Sequence, residues 1–234
     1  MKFFLFFFSL SLFAASNPIQ WGENTSGVSY GFETNKKEIA LTMDACGGSD
    51  KSSQYDSKLI NYLIEHKIQA TLFINARWID SNPDIFKTLA NNPLFEIANH
   101  GTAHKPLSVN GKSIYNISGT SSPEEVAQEI EGNNQKILKL TGKRPLFFRS
   151  GTAYYDEEAV KIAMQHGMEI GGFAIVGDAG ATLKAEEVQK RITHAHPGDI
   201  VIIHMNHPES GTREGLIRSI EILQSEGYNF VKLS

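Results

Sequence analysis

Two histidines separated by three residues, in His100-Gly101-Thr102-Ala103-His104, have the plainest chemical use in this sequence. Imidazoles at that spacing meet on one side of a helical turn, where both reach a single divalent ion about 2.1 Å away. The same spacing arises by chance, and the bland reading is two solvated loop histidines. Asp44 ends the apolar run Ile39-Ala40-Leu41-Thr42-Met43. Its carboxylate therefore emerges at the rim of a low-dielectric pocket, as a base or a metal ligand, or else it caps the turn made by Gly47, Gly48 and Ser49. Cys46, the single cysteine, reads as a small buried hydrophobe or as a metal-bound thiolate.

The elements that must position these groups come from periodicity. Apolar segments at residues 38–44, 70–75, 94–98, 146–149, 170–176, 199–204 and 229–233 read as strands. Helical stretches lie between them. Ser122-Pro123-Glu124-Glu125 is a capping box with proline in the first turn, and Gly142 closes that helix. Asn82-Pro83, Asp156 and Thr212 start other helices, while Gly167 and Gly227 stop them. Strands alternating with helices pair in parallel, since each crossover needs a helix-length connection. The fold class is α/β, with the sheet either open and doubly wound or closed into a barrel. In parallel α/β folds the carboxyl ends of the strands share one face, which carries the active site. Asp44, His100, His104, Arg149, Asp178 and His204 all stand at or just past predicted strand ends. They are expected to converge.

Composition narrows the function class. With Lys+Arg 22 against Asp+Glu 26, the net charge of −4 leaves no footprint for nucleic acid, and 41% hydrophobic content is that of a globular chain. Residues 1–16 read as a signal peptide: Lys2 leads residues 3–13, apolar except for Ser9 and Ser11, and small residues at 14–16 suit cleavage before Asn17. The apolar run is too short for a bilayer crossing of about 20 residues. No stable membrane span is expected after its removal, and the mature chain, 17–234, is placed in the periplasm or outside the cell. One cysteine allows no internal disulfide, so the core must supply the stability.

In order along the chain, Leu41-Thr42-Met43-Asp44, the His100/His104 pair, Phe148-Arg149, Asp178 and Ile202-Ile203-His204 resemble the five motifs of the polysaccharide deacetylases, the family-four carbohydrate esterases. The likeness spans roughly residues 36 to 233. It implies a distorted, partly open (β/α) barrel of about seven parallel strands, a divalent metal (zinc first, cobalt or nickel as alternatives), and removal of acetyl groups from the amino sugars of a glycan such as peptidoglycan or chitooligosaccharide. By the same resemblance Asp44 is the base, His100 and His104 are metal ligands, His204 is the general acid with Asp178 as its partner, and Arg149 pairs with the base. Departures are equally plain. The first motif has Ala45 where the family has a metal-ligating aspartate, so the third ligand must come from elsewhere: Asp44 itself first, then His207 or Asp50, then Cys46. The third motif lacks its proline-rich turn and aromatic, and the fourth lacks the tryptophan after Asp178-Ala179-Gly180. The alternative function is a non-catalytic glycan-binding protein that has lost its metal. The other histidines, His66, His166, His194 and His196, read as solvated or capping residues. Trp21 and Tyr30 are expected over the barrel bottom, Trp78 either in the core or in a sugar subsite, and Asn75 at the pocket.

Overall fold

A computed structural model describes residues 17–234; the expected signal peptide at residues 1–16 lies outside the described residues. The chain runs through β1 (Val28–Ser29), β2 (Glu38–Ala45), α1 (Ser57–Glu65), β3 (Ala70–Ile74), α2 (Ala76–Ser81), α3 (Pro83–Ala90) and β4 (Phe95–Asn99). A small antiparallel hairpin follows, β5 (Ser113–Ile114) and β6 (Ile117–Ser118), then α4 (Pro123–Thr141), β7 (Phe147–Phe148) and α5 (Glu157–Gln165). The last third holds β8 (Glu169–Gly171), β9 (Ile175–Val176), α6 (Ala185–Ile192), β10 (Ile200–His204), α7 (Thr212–Ser225) and β11 (Asn229–Val231). Local chemistry explains the helix ends. Ser122 Oγ accepts from the Glu125 amide, Pro123 opens the first turn of α4, and Gly142 ends it at φ 73°. Asp156 caps α5 in the same way, accepting from the Ala159 amide at 2.8 Å.

The strands form one parallel sheet in the order β1-β8-β7-β4-β3-β2-β10-β9, with β11 also paired to β2. Strands β2, β3, β4, β7, β10 and β11 fall at six of the seven expected positions, and β8 and β9 share the remaining one. One expectation needs revision. Residues 170–176 do not form a single strand but two, β8 and β9, near opposite edges of the sheet. The Gly172 amide bonds to Ser29 on β1 at 2.8 Å, whereas the Ala174 amide bonds to Ile200 on β10 at 2.9 Å. An apolar run cannot show where its hydrogen-bond partners change, so sequence merges the two. The break also proves closure. Four residue steps span at most about 14 Å, whereas six strand spacings across a flat sheet would need about 29 Å. The sheet must therefore curl into a partly open barrel.

Side chains divide by strand face. On β2, Ile39, Leu41, Met43 and Ala45 belong to the larger apolar cluster, packed with Leu59, Leu63 and Trp78. Thr42 and Asp44 point to the other face, as the two-residue period requires. A second cluster around Val126, Ile130, Phe148, Tyr155 and Ile170 seats α4 and α5 on β7 and β8. Trp78 is fully buried, donates its indole N–H to the Gln54 carbonyl at 2.9 Å and meets Tyr55 edge-on. It is a core residue, so the sugar-subsite reading of Trp78 falls away.

Candidate active site

Parallel register sets the first pair. β10 lies beside β2 with His204 opposite Asp44, and Asp44 in turn opposes Phe73 on β3. Asp44 is buried, and a buried carboxylate needs a partner. Arg149 supplies it: Nη1 donates to Asp44 Oδ1 at 2.7 Å, Nη2 to Thr42 Oγ1 at 3.0 Å and to the Gly172 carbonyl at 2.9 Å, and Nε to the Gly171 carbonyl at 2.8 Å. Its guanidinium carbon sits 4.0 Å over the Phe73 ring. Arg149 thus spans the gap between β2 and the crossing from β8 to β9, with every donor nitrogen used, and fixes one oxygen of Asp44.

The other oxygen, Asp44 Oδ2, lies 3.5 Å from His100 Nε2. His100 faces the Arg149 carbonyl through Nδ1 at 3.0 Å. That carbonyl only accepts, so Nδ1 carries the proton and the Nε2 lone pair faces inward. The His104 ring stands perpendicular to that of His100, centroids 4.9 Å apart, and its buried Nε2 has no hydrogen-bond partner. Cys46 Sγ lies 3.9 Å from His100 Nε2. Cys46, His100 and His104 place their donor atoms within 4.8 Å of one another, the one such group of three found among the described residues. An orphaned imidazole nitrogen beside a thiol and a second imidazole is a donor set that fits a divalent cation. The surrounding field agrees. Burial opposes charge on His100, yet Asp44 and Cys46 outweigh it and raise its pKa, marking a place that favours positive charge.

His204 forms the second half. Its Nδ1 is 2.9 Å from Asp178 Oδ1, and its amide donates to Asp178 Oδ2 at 2.7 Å, an oxygen that also accepts from Thr212 Oγ1 at 2.9 Å. Burial works against an imidazolium here, but the Asp178 charge and hydrogen bond, with Cys46 adding, hold the His204 pKa well above the ordinary imidazole value. Burial likewise pushes Asp178 up, and His204 and Thr212 more than offset it, leaving it lowered. For Cys46, burial raises the thiol pKa while the imidazoles of His104, His100 and His204 together bring it well below the ordinary thiol value. A cavity of about 450 Å³ opens over these groups, lined by Asp44, His104, Asp178 and His204, with Tyr115 and Phe173 on its walls.

The fold therefore brings together all six predicted residues, Asp44, His100, His104, Arg149, Asp178 and His204. Of the candidates for a third ligand, Asp44 is engaged by Arg149 and is not one of the three clustered donors, Asp50 is exposed, and His207 turns to Glu209 at 3.5 Å. Cys46, the last choice from sequence, is the group beside both imidazoles. Asn75 is fully buried; its amide nitrogen donates to the His100 and Gly101 carbonyls, both at 2.8 Å, so it holds the histidine loop. His66, His166 and His196 sit at helix ends or turns, beside Tyr62, Glu131 and Asp199. Sequence missed the supports on α4. Glu129 accepts from the Ala103 and Lys105 amides at 2.9–3.1 Å, and Asn133 donates to Asn99 Oδ1, which accepts from Gly101. Polar residues on the buried stripe of Val126, Ile130 and Ile137 were the available signal.

Residues 32–171 match the polysaccharide deacetylase family. The chain belongs to that family. Asp44, both histidines and Arg149 fall within the match; Asp178 and His204 lie beyond it, on strands and loops that complete the same barrel. Over 84% of this chain and 70% of the relative, it is 24% identical to peptidoglycan-N-acetylmuramic acid deacetylase PdaA of Bacillus subtilis. Over 92% of this chain and 74% of the relative, it is 24% identical to a peptidoglycan-N-acetylglucosamine deacetylase of Bacillus cereus. A solved family-four carbohydrate esterase pseudoenzyme from Bacillus anthracis superposes with a TM-score of 0.74 at 25% identity, covering 90% of this chain and 69% of its own. A mutant of that pseudoenzyme has restored activity. Family membership thus spans catalytic and non-catalytic proteins, and the site residues of this member must carry the functional argument.

Proposed function

We propose that this family member is a secreted, metal-dependent hydrolase that removes acetyl groups from the amino sugars of a glycan of the peptidoglycan or chitooligosaccharide kind, with residues 1–16 as its export signal and 17–234 as its catalytic domain. One observation supports the reading: the Arg149-paired carboxylate of Asp44, the His104 imidazole and the Asp178-held imidazole of His204 line one cavity, with His100 buried beside His104 and Asp44. A pure binding module has no use for an acid and a base placed together.

His100 and His104 would hold the divalent ion, zinc first, with cobalt or nickel as alternatives. Bound there, it would lower the pKa of water toward neutrality and polarise an acyl carbonyl. Asp44 takes the proton of the attacking water. Arg149 aims that carboxylate through the 2.7 Å contact. His204, charged at neutral pH by Asp178, gives a proton to the departing amine nitrogen, so the C–N bond breaks to acetate and a free amino sugar. The glycan enters along the cavity beside Tyr115 and Phe173.

The test is acetate release from N-acetylated chitooligosaccharide and from peptidoglycan by zinc- or cobalt-loaded protein. Turnover is expected, and His204→Ala should lower kcat by roughly 10²–10⁴-fold. A loaded, folded protein that frees no acetate from either glycan would favour the non-catalytic alternative, which the pseudoenzyme among its structural relatives also represents.

A further inference from the structure

The position that supplies an acidic ligand elsewhere in the family is Ala45, whose methyl group cannot bind a metal. In this barrel the side chain at 45 sits on the outer face of β2 with Ile39, Leu41 and Met43. The inner face carries Thr42 and Asp44, and the next residue in that alternation is Cys46. We infer that Cys46 supplies the third protein ligand, making a Cys/His/His centre with a softer donor than a carboxylate. The inference rests on the metal-dependent reading above and specifies its donor set.

Three independent features support it. A tetrahedral zinc with Zn–S about 2.3 Å and Zn–N about 2.1 Å sets the sulfur and nitrogen roughly 3.5 Å apart; Cys46 Sγ and His100 Nε2 are 3.9 Å apart before any ion draws them in. His104, a member of the same group of three, has a buried Nε2 with no hydrogen-bond partner. The loop that follows holds the thiol in place: Gly47 adopts φ +68°, donates its amide to the Ser52 carbonyl at 3.0 Å and accepts from Ser52 Oγ at 2.8 Å. A Cβ at Gly47 would meet the Trp78 amide at 2.3 Å, so the turn after Cys46 has one course. Asp44 is not among the donors that lie within 4.8 Å of one another, and Arg149 holds one of its oxygens at 2.7 Å. On binding, the thiol loses its proton to solvent and the sulfur lone pair goes to the ion, with no change of oxidation state. A thiolate in the set favours zinc, cobalt and cadmium over magnesium and manganese.

Cobalt(II) reads the donor directly. Full-length mature protein stripped of metal and titrated with Co(II) should take up one ion per chain and develop a near-ultraviolet thiolate-to-cobalt charge-transfer band; the bound ion should shield Cys46 from iodoacetamide. Cys46→Ala should keep its metal-free circular dichroism and melting profile, lose the band, and bind cobalt more weakly by at least the roughly 10–100-fold that loss of an outer-shell partner costs. Cobalt bound with no such band, or with equal affinity in Cys46→Ala, would overturn the cysteine ligand and leave the metal-dependent reading standing. Protein that takes up no cobalt at all would overturn both.

Discussion

Asp178 decides the charge of His204. Burial alone would keep that imidazole neutral, and the carboxylate outweighs burial. The sign follows from linkage. With its folded pKa above the ordinary 6.5, His204 contributes stability that is fully present below that value and is lost as pH rises through the raised one. Asp178, lowered from 3.8, contributes stability that is present above that value and is lost on acidification. The acid form of His204 is therefore the form present at neutral pH, and the alkaline limb of kcat/KM should report its loss. Asp178→Asn removes the dominant opposing charge, so that limb should move to lower pH and the profile should narrow. A limb that stays in place would mean that His204 is not the titrating acid. The residue scale was largely legible beforehand, because Asp44, His100, His104, Arg149, Asp178 and His204 occupy strand ends that a parallel fold gathers on one side.

At the scale of elements, the histidine loop owes its shape to α4 and to the turn after β7. Glu129 on α4 gathers the amides on both sides of His104, and His104 itself stands at φ 62°, a conformation that an isolated loop histidine would seldom keep. From the opposite side Gly151 presses on the same residue: a Cβ there would lie 2.3 Å from the His104 carbonyl. Gly151→Ala must therefore push the loop. Its expected effect is weaker metal uptake with the barrel intact, read as a right shift in a cobalt or zinc titration against an unchanged far-ultraviolet spectrum. An unshifted titration would show that the loop yields without cost to the site. Sequence marked α4 by its cap and apolar stripe. It could not mark the helix as the support of a loop some 25 residues earlier, since that contact exists only once the helix packs across β4 and β7.

Over the whole molecule, the curled sheet is what makes one site from distant segments. Arg149 holds the carbonyls of Gly171 and Gly172 at one side of the closure and Asp44 and Thr42 at the other. A cation held by Cys46, just past β2, and by the loop after β4 would add a further tie between these segments. Ligand present at 100 times its Kd stabilises a native state by about 2.7 kcal/mol, which for a chain of this size corresponds to a rise in Tm of about 5–10 °C. Zinc should raise the melting temperature by that order and a chelator should reverse it; a melting curve indifferent to both would contradict a site that spans these strands. Among the described residues no helix is long and apolar enough to cross a membrane.

What the sequence determined by itself was the alternation of elements, the places where helices start and stop, and the polar groups at strand ends, because caps, periods and strand termini are local properties of the chain. Tertiary structure alone decided three things. It split residues 170–176 between opposite edges of the sheet, sent Trp78 into the core, and set Cys46, rather than Asp50 or His207, within mutual reach of both imidazoles, while Asp44 neighbours His100 alone in that group. Each depends on which segments lie next to one another after closure, and donor geometry within a few ångströms is a property of packed neighbours that no local pattern encodes.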